Sequence, residues 1–136
     1  MPATNGQRTF NFSFIVPENK TDDMEKLIAS HGEWMRQTHS IYTRADPNYG
    51  FLGTLVDYYW SKSPQMNNPL DPEAGTTGNI LYSLNEVYTR PEGTDAHMEA
   101  APSWESFEGF VALIGELQSQ MIMSGEVIQS MFADEE

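Results

Sequence analysis

The chain contains no cysteine, which excludes disulfides, thiolate-bound metals and cysteine nucleophiles together. No apolar run approaches the ~18 residues that a membrane helix needs. The first ten residues, MPATNGQRTF, lack the basic-then-apolar layout of a signal peptide. A soluble, cytoplasmic protein with no membrane partner is therefore the expectation. No serine lies in a Gly-x-Ser-x-Gly setting, and no glycine-rich loop suits a phosphate. His31 and His39 lie about 80° apart around a helix, and no His-Glu-x-x-His pattern occurs. The sequence thus points to no metal and no cofactor.

Positive charge is the next scarcity. Twenty acids stand against seven bases, for a net charge of −13. Residues 69–136 hold thirteen of those acids and a single base, Arg90. A polyanion would be repelled by that half, so nucleic acid is excluded as a partner, and anionic membrane surfaces are disfavoured. The plain reading is a solvated acidic surface that keeps the protein soluble. A basic partner or a salt-rich habitat is the other.

What is present suits one folded domain, 1–136. Of the 136 residues 39% are hydrophobic, and 16 are Phe, Tyr or Trp, too many for a disordered chain. Phe10, Phe12, Phe14 and Val16 recur at period two, predicting a strand over 9–16. Thr21, followed by Asp22 and Asp23, opens a helix expected to run to about Ser40. Its apolar stripe is Met24, Leu27, Ile28, His31 and Met35, with Lys26, Glu33 and Gln37 opposite. Asp46 to Gly50 reads as a turn. Residues 51–60 and 79–88 read as strands apolar on both faces. Between them 61–78, with three prolines and several Asn and Gly, reads as a long excursion. A short helix carrying His97 follows and is broken at Pro102. A helix is expected over 104–123, a last strand over 126–132, and a frayed tail over 133–136.

That order is β-α-β-β-α-β, an α+β, ferredoxin-like arrangement with a four-stranded antiparallel sheet and two main helices. Two helices cover only one face of such a sheet. Because strands two and three appear apolar on both faces, a second copy of the sheet is the simplest lid. The pattern therefore predicts a homodimer with sheets face to face.

Glu86 and Tyr88 at a strand end, a turn, His97 on a short helix, and then Trp104 and Phe107 form a recognisable succession. The stretch 86–132 resembles the antibiotic-biosynthesis-monooxygenase-like family of dimeric α+β barrels. The resemblance implies a homodimer with one pocket per subunit between helices and sheet. It also implies cofactor-independent oxygenation of a phenolic or quinol-like small molecule. The excursion at 61–78 is longer than the family's usual hairpin, and about one residue is added between His97 and the final helix. Haem-degrading members hold iron through a His on the final helix. Here that turn reads Phe107-Glu-Gly-Phe110-Val111, which argues against haem.

His97 is the candidate general base, since an ordinary imidazole accepts a proton near neutral pH. Its alternative role is to anchor the break before Pro102. His31, central in an apolar stripe, is either a core histidine or a second catalytic group lining the pocket. Glu86 reads as structural, capping amides or pairing with Arg90. Trp34, Trp60, Tyr82, Phe107 and Phe110 are core aromatics by default and substrate-binding candidates if a pocket exists, because aromatic walls suit flat ligands. Three functions fit these residues: the monooxygenase, a non-catalytic small-ligand-binding or stress-related protein on the same barrel, and an interaction module using the acidic half.

Overall fold

A computed structural model describes residues 3, 6–41, 54–90 and 92–132. The strands are β1 (Arg8–Val16), β2 (Ser40–Ile41), β3 (Thr54–Met66), β4 (Thr76–Tyr88) and β5 (Gln118–Glu126). The helices are α1 (Thr21–Thr38), α2 (Glu92–Ala100) and α3 (Phe107–Gly115). The sheet order is β2-β3-β4-β1-β5. β3, β4, β1 and β5 pair antiparallel, and β2 adds two residues in parallel to β3. The class is α+β, and the four antiparallel strands with their helices are compatible with the ferredoxin-like plan.

Period-two alternation decides which side chains meet the helices. Phe10, Phe14 and Val16 are buried on β1, and Tyr82, Leu84, Glu86 and Tyr88 on β4. Register places them in rows: Tyr58 opposes Glu86, which opposes Phe10, while Trp60, Leu84, Phe12 and Met121 form the next row. On α1 the buried residues are Met24, His31, Trp34 and Met35, and Lys26, Glu33 and Gln37 are exposed, as the stripe requires.

Four expectations change. The final helix ends at Gly115, well before residue 123, and residues 118–126 form the last strand in place of 126–132. Met121 repeats at helical spacing from Leu117, yet it also fits a strand. Pairing with the otherwise open edge of β1 satisfies that strand's backbone groups and wins. Trp104 consequently lies in the turn before α3, and α1 stops two residues short of Ser40.

The segment 61–78 is mostly a hairpin arm. β3 runs through Ser61–Met66 and β4 begins at Thr76, leaving 67–75 as the tip. Pro64 is tolerated because β2 flanks β3 only at Thr54 and Leu55, so the missing N–H opens no central ladder bond. Asn67 holds the tip by donating to the carbonyls of Ala74 and Thr76 at 2.9 and 3.2 Å.

The outer sheet face is more polar than expected. Ser61, Ser83, Ser13 and Gln120 form one outward row. In the next row Asn11 donates to Asn85 at 3.0 Å. Leu81, Tyr59 and Ile122 do point outward and are exposed, but they flank a polar stripe. The expected turn at 46–50, the strand start at 51–53 and the tail at 133–136 lie outside the described residues. Among the described residues, no helix is long and apolar enough to cross a membrane.

Candidate functional site

A cavity of about 320 Å³ opens between the inner sheet face and the helices. Phe10, Phe12 and Leu84 form its floor. His31 and Trp34 from α1, His97 and Met98 from α2, and Trp104, Phe107 and Phe110 form its walls. Val111 and Met121 also line it and are about half exposed, so the mouth lies between α3 and β5. Among the described residues, the two imidazoles are the ionisable groups in an otherwise apolar and aromatic lining.

Behind the imidazoles lies a buried polar network. Glu86 is fully buried and accepts from the Tyr88 hydroxyl. Its Oε1 is 3.6 Å from His97 Nδ1. Trp60 donates its indole N–H to the Tyr58 hydroxyl oxygen at 2.8 Å, and that oxygen lies 2.8 Å from His31 Nδ1. His39, capping α1, places Nε2 3.2 Å from His97 Nδ1 and 3.3 Å from the Tyr88 hydroxyl.

The tautomers follow from the hydroxyl at the end of the chain. Thr38 donates its single O–H to the Trp34 carbonyl at 2.7 Å. Its oxygen therefore accepts from His39 Nδ1, 2.9 Å away. His39 Nε2 is then an acceptor, and His97 Nδ1–H donates to it. The remaining nitrogen of His97, Nε2, carries the lone pair. A proton acceptor is thereby set in the cavity wall.

Burial governs the charge states. Desolvation lowers His97 to about 4. It lowers His31 to about 3, with the neighbouring His97 charge adding to the effect, and His39 to about 3, helped by His97 and His31. Burial raises Glu86 to about 8 against the opposing Tyr88 hydrogen bond. At pH 7 the three imidazoles are neutral and the carboxyl is mostly protonated, so the His97–Glu86 contact is between neutral groups and not an ion pair.

The predicted residues divide accordingly. His31, His97, Trp34, Phe107 and Phe110 line the cavity. Trp60 lies one layer back, edge-on to His31 with ring centroids 5.7 Å apart. Tyr82 does not join the site. It shares the inward face of β4 but lies four residues from Glu86, roughly 13 Å along the strand. There it packs with Phe14, Val16 and Met24 and donates to Glu25 at 2.7 Å.

Glu86 departs from the expected pairing with Arg90, which is exposed. The alternation Tyr82-Leu84-Glu86-Tyr88 already places its carboxyl inward and marks it as a buried acid. Tyr58 and His39 had no such signal, since they reach the site through the β3–β4 register and the helix end. Gly93 lets α2 approach the site, because a Cβ there would overlap the Tyr88 ring. No family model, curated protein or solved structure matches the chain.

Proposed function

We propose that this chain is a cofactor-independent monooxygenase acting on a flat phenolic or quinol-like molecule, working as a homodimeric α+β barrel of the antibiotic-biosynthesis-monooxygenase type. The observation that carries the reading is the aromatic cavity whose ionisable lining groups are His31 and His97. Its volume is at the small end of the range for ligand sites and suits a one- or two-ring molecule. Stacking on Trp34, Trp104 and Phe110 would hold the ring out of water. His97 Nε2 takes the proton of the substrate hydroxyl, and the resulting electron-rich ring reduces dioxygen. For a quinol, four electrons leave the ring. One oxygen atom is inserted to give a hydroxyquinone, and the other leaves as water with two protons from the substrate.

The energetics bound this step. Moving a proton from a phenol of pKa near 10 to an imidazole near 4 is uphill by about 8 kcal/mol. That fits within an enzymatic barrier. The same depression favours a second reading, a binding protein for a flat apolar ligand whose histidines only donate or accept hydrogen bonds. In either case a second copy would cover Tyr59, Leu81 and Ile122 on the outer face. Oxygen uptake by chelator-treated protein with a panel of benzo- and naphthoquinols decides between the two. Turnover supports the oxygenase, and tight binding without uptake supports the binding protein.

A further inference from the structure

The buried network contains one group that the oxygenase reading leaves unexplained. Glu86 is a fully buried acid, and its Oε2 has no hydrogen-bond partner among the described residues. Its Oε1 takes the Tyr88 hydroxyl, and no lysine or arginine forms a salt bridge with it among the described residues. Buried polar atoms are nearly always satisfied, so an unmet carboxyl oxygen marks a missing partner. Beside it stand two imidazoles. One ligand atom from each of His31, Glu86 and His97 lies within 4.8 Å of the others.

We propose that His31, Glu86 and His97 form a site for a divalent transition-metal ion of the zinc, cobalt or iron(II) class, at the inner end of the cavity. The three ligands come from three elements, α1, β4 and α2, so the fold and not a local motif assembles them. Ligand bonds of 2.0–2.2 Å put tetrahedral ligand atoms about 3.4 Å apart, so side-chain shifts on the order of 1 Å would close the site.

The outer partners fit as well. Tyr58 holds His31 Nδ1 at 2.8 Å, and His39 holds His97 Nδ1 at 3.2 Å. His31 is thereby left its second nitrogen to bind, the arrangement by which outer-shell groups orient metal-binding histidines, whereas His97 faces Glu86 Oε1 with Nδ1 at 3.6 Å and would exchange its His39 contact for the ion. Two imidazoles and one carboxylate select a borderline transition metal over magnesium or calcium, which prefer all-oxygen sites. With three protein ligands a coordination position stays open, reached from the cavity that His31 and His97 line.

The inference goes beyond the proposed oxygenation and competes with it. An ion bound at His97 removes it as the free neutral imidazole that would take the substrate's proton. Occupancy and metal-free turnover therefore exclude each other in one chain.

The test uses the full chain, stripped with chelator, and Co²⁺ alone as probe, followed by equilibrium dialysis and visible absorption. The expected result is one Co²⁺ per chain with the visible bands of a low-coordinate cobalt site. Glu86→Gln and His31→Gln should each weaken binding by roughly 100-fold or more, and Tyr58→Phe by about 10–100-fold. Excess Mg²⁺ should not displace the ion. Unchanged binding in both ligand variants, or ready displacement by Mg²⁺, would place the ion on surface carboxylates and overturn the assignment. Should a variant fail to fold, the wild-type unfolding midpoint must still rise with the logarithm of Co²⁺ concentration. A fixed midpoint overturns the site. Loss of the site leaves quinol oxidation by stripped protein standing, and absence of quinol oxidation leaves the ion titration standing.

Discussion

Replacing Glu86 by glutamine tests the electrostatics of the buried network. In the stripped protein Tyr58, Tyr88, His31, His39 and His97 are, among the described residues, the titratable groups around this carboxyl. Glu86 titrates near 8 in the fold against an ordinary 4.5. A carboxyl raised in this way contributes stability below its unfolded value, and the contribution drains as pH rises through the folded value. The imidazoles run the other way. Held at about 3 to 4 against 6.5, they stabilise fully above pH 6.5, and that stability is lost as pH falls.

Each proton difference changes stability by about 1.4 kcal/mol per pH unit. Between pH 6.5 and 8 the proton held on Glu86 lowers stability by roughly 1.6 kcal/mol, while the three imidazoles, half protonated in the unfolded chain at 6.5, return about 1.2, so the wild type falls by only about 0.5 kcal/mol. Between 6.5 and 4.5 three imidazoles oppose one carboxyl, and stability falls by up to roughly 5 kcal/mol. Stability therefore peaks just below pH 7. Glu86→Gln should turn the shallow alkaline fall into a rise of about 1.2 kcal/mol between pH 6.5 and 8 and steepen the acid limb, because three protons then act unopposed. Urea unfolding of both proteins at half-unit steps from pH 4.5 to 9 reads this directly. A wild type that gains stability from pH 6.5 to 8 as steeply as the variant does refutes the buried, protonated carboxyl.

Other outcomes follow from named contacts. Gly93→Ala pushes a methyl into the Tyr88 ring and should cost about 1–3 kcal/mol in denaturant unfolding. Trp104→Phe removes the 3.0 Å indole bond to Ser30 and should cost on the order of 1 kcal/mol, with weaker quinol binding by fluorescence titration. Tyr82→Phe, outside the cavity, should leave quinol affinity unchanged, and a large loss would move the ligand site. Sedimentation at micromolar concentration should give about twice the chain mass, and a stable monomer removes the dimer.

How far the chain could be read without coordinates depended on where local pattern and tertiary context agreed. Phe10 to Val16 and the stripe of α1 were legible because periodicity and burial coincide there. Residues 118–126 were not, since Leu117 and Met121 satisfy a helical repeat while only the open edge of β1 dictates a strand. The outer face is more polar than the strand sequences alone imply for a related reason. Leu81 and Val87 are apolar on β4, but Asn11, Ser13 and Ser61 arrive beside them only through register. His31 and His97 were singled out from their place in the pattern, and Trp34, Phe107 and Phe110 from their aromaticity. For Glu86 the local pattern misleads, because an acid at a strand end invites an exposed partner, whereas its parity with Leu84 turns it into the core.

The most direct measurement is oxygen consumption by the stripped protein, wild type against His97→Ala, with a reactive quinol and a melting curve for each. The account predicts uptake by wild type and a loss of roughly 10²–10⁴-fold in the variant, assayed below its melting temperature, which truncation of the buried His97 side chain lowers. Equal rates in the two proteins would contradict His97 as the base, and no uptake by wild type with any quinol would contradict the oxygenase itself.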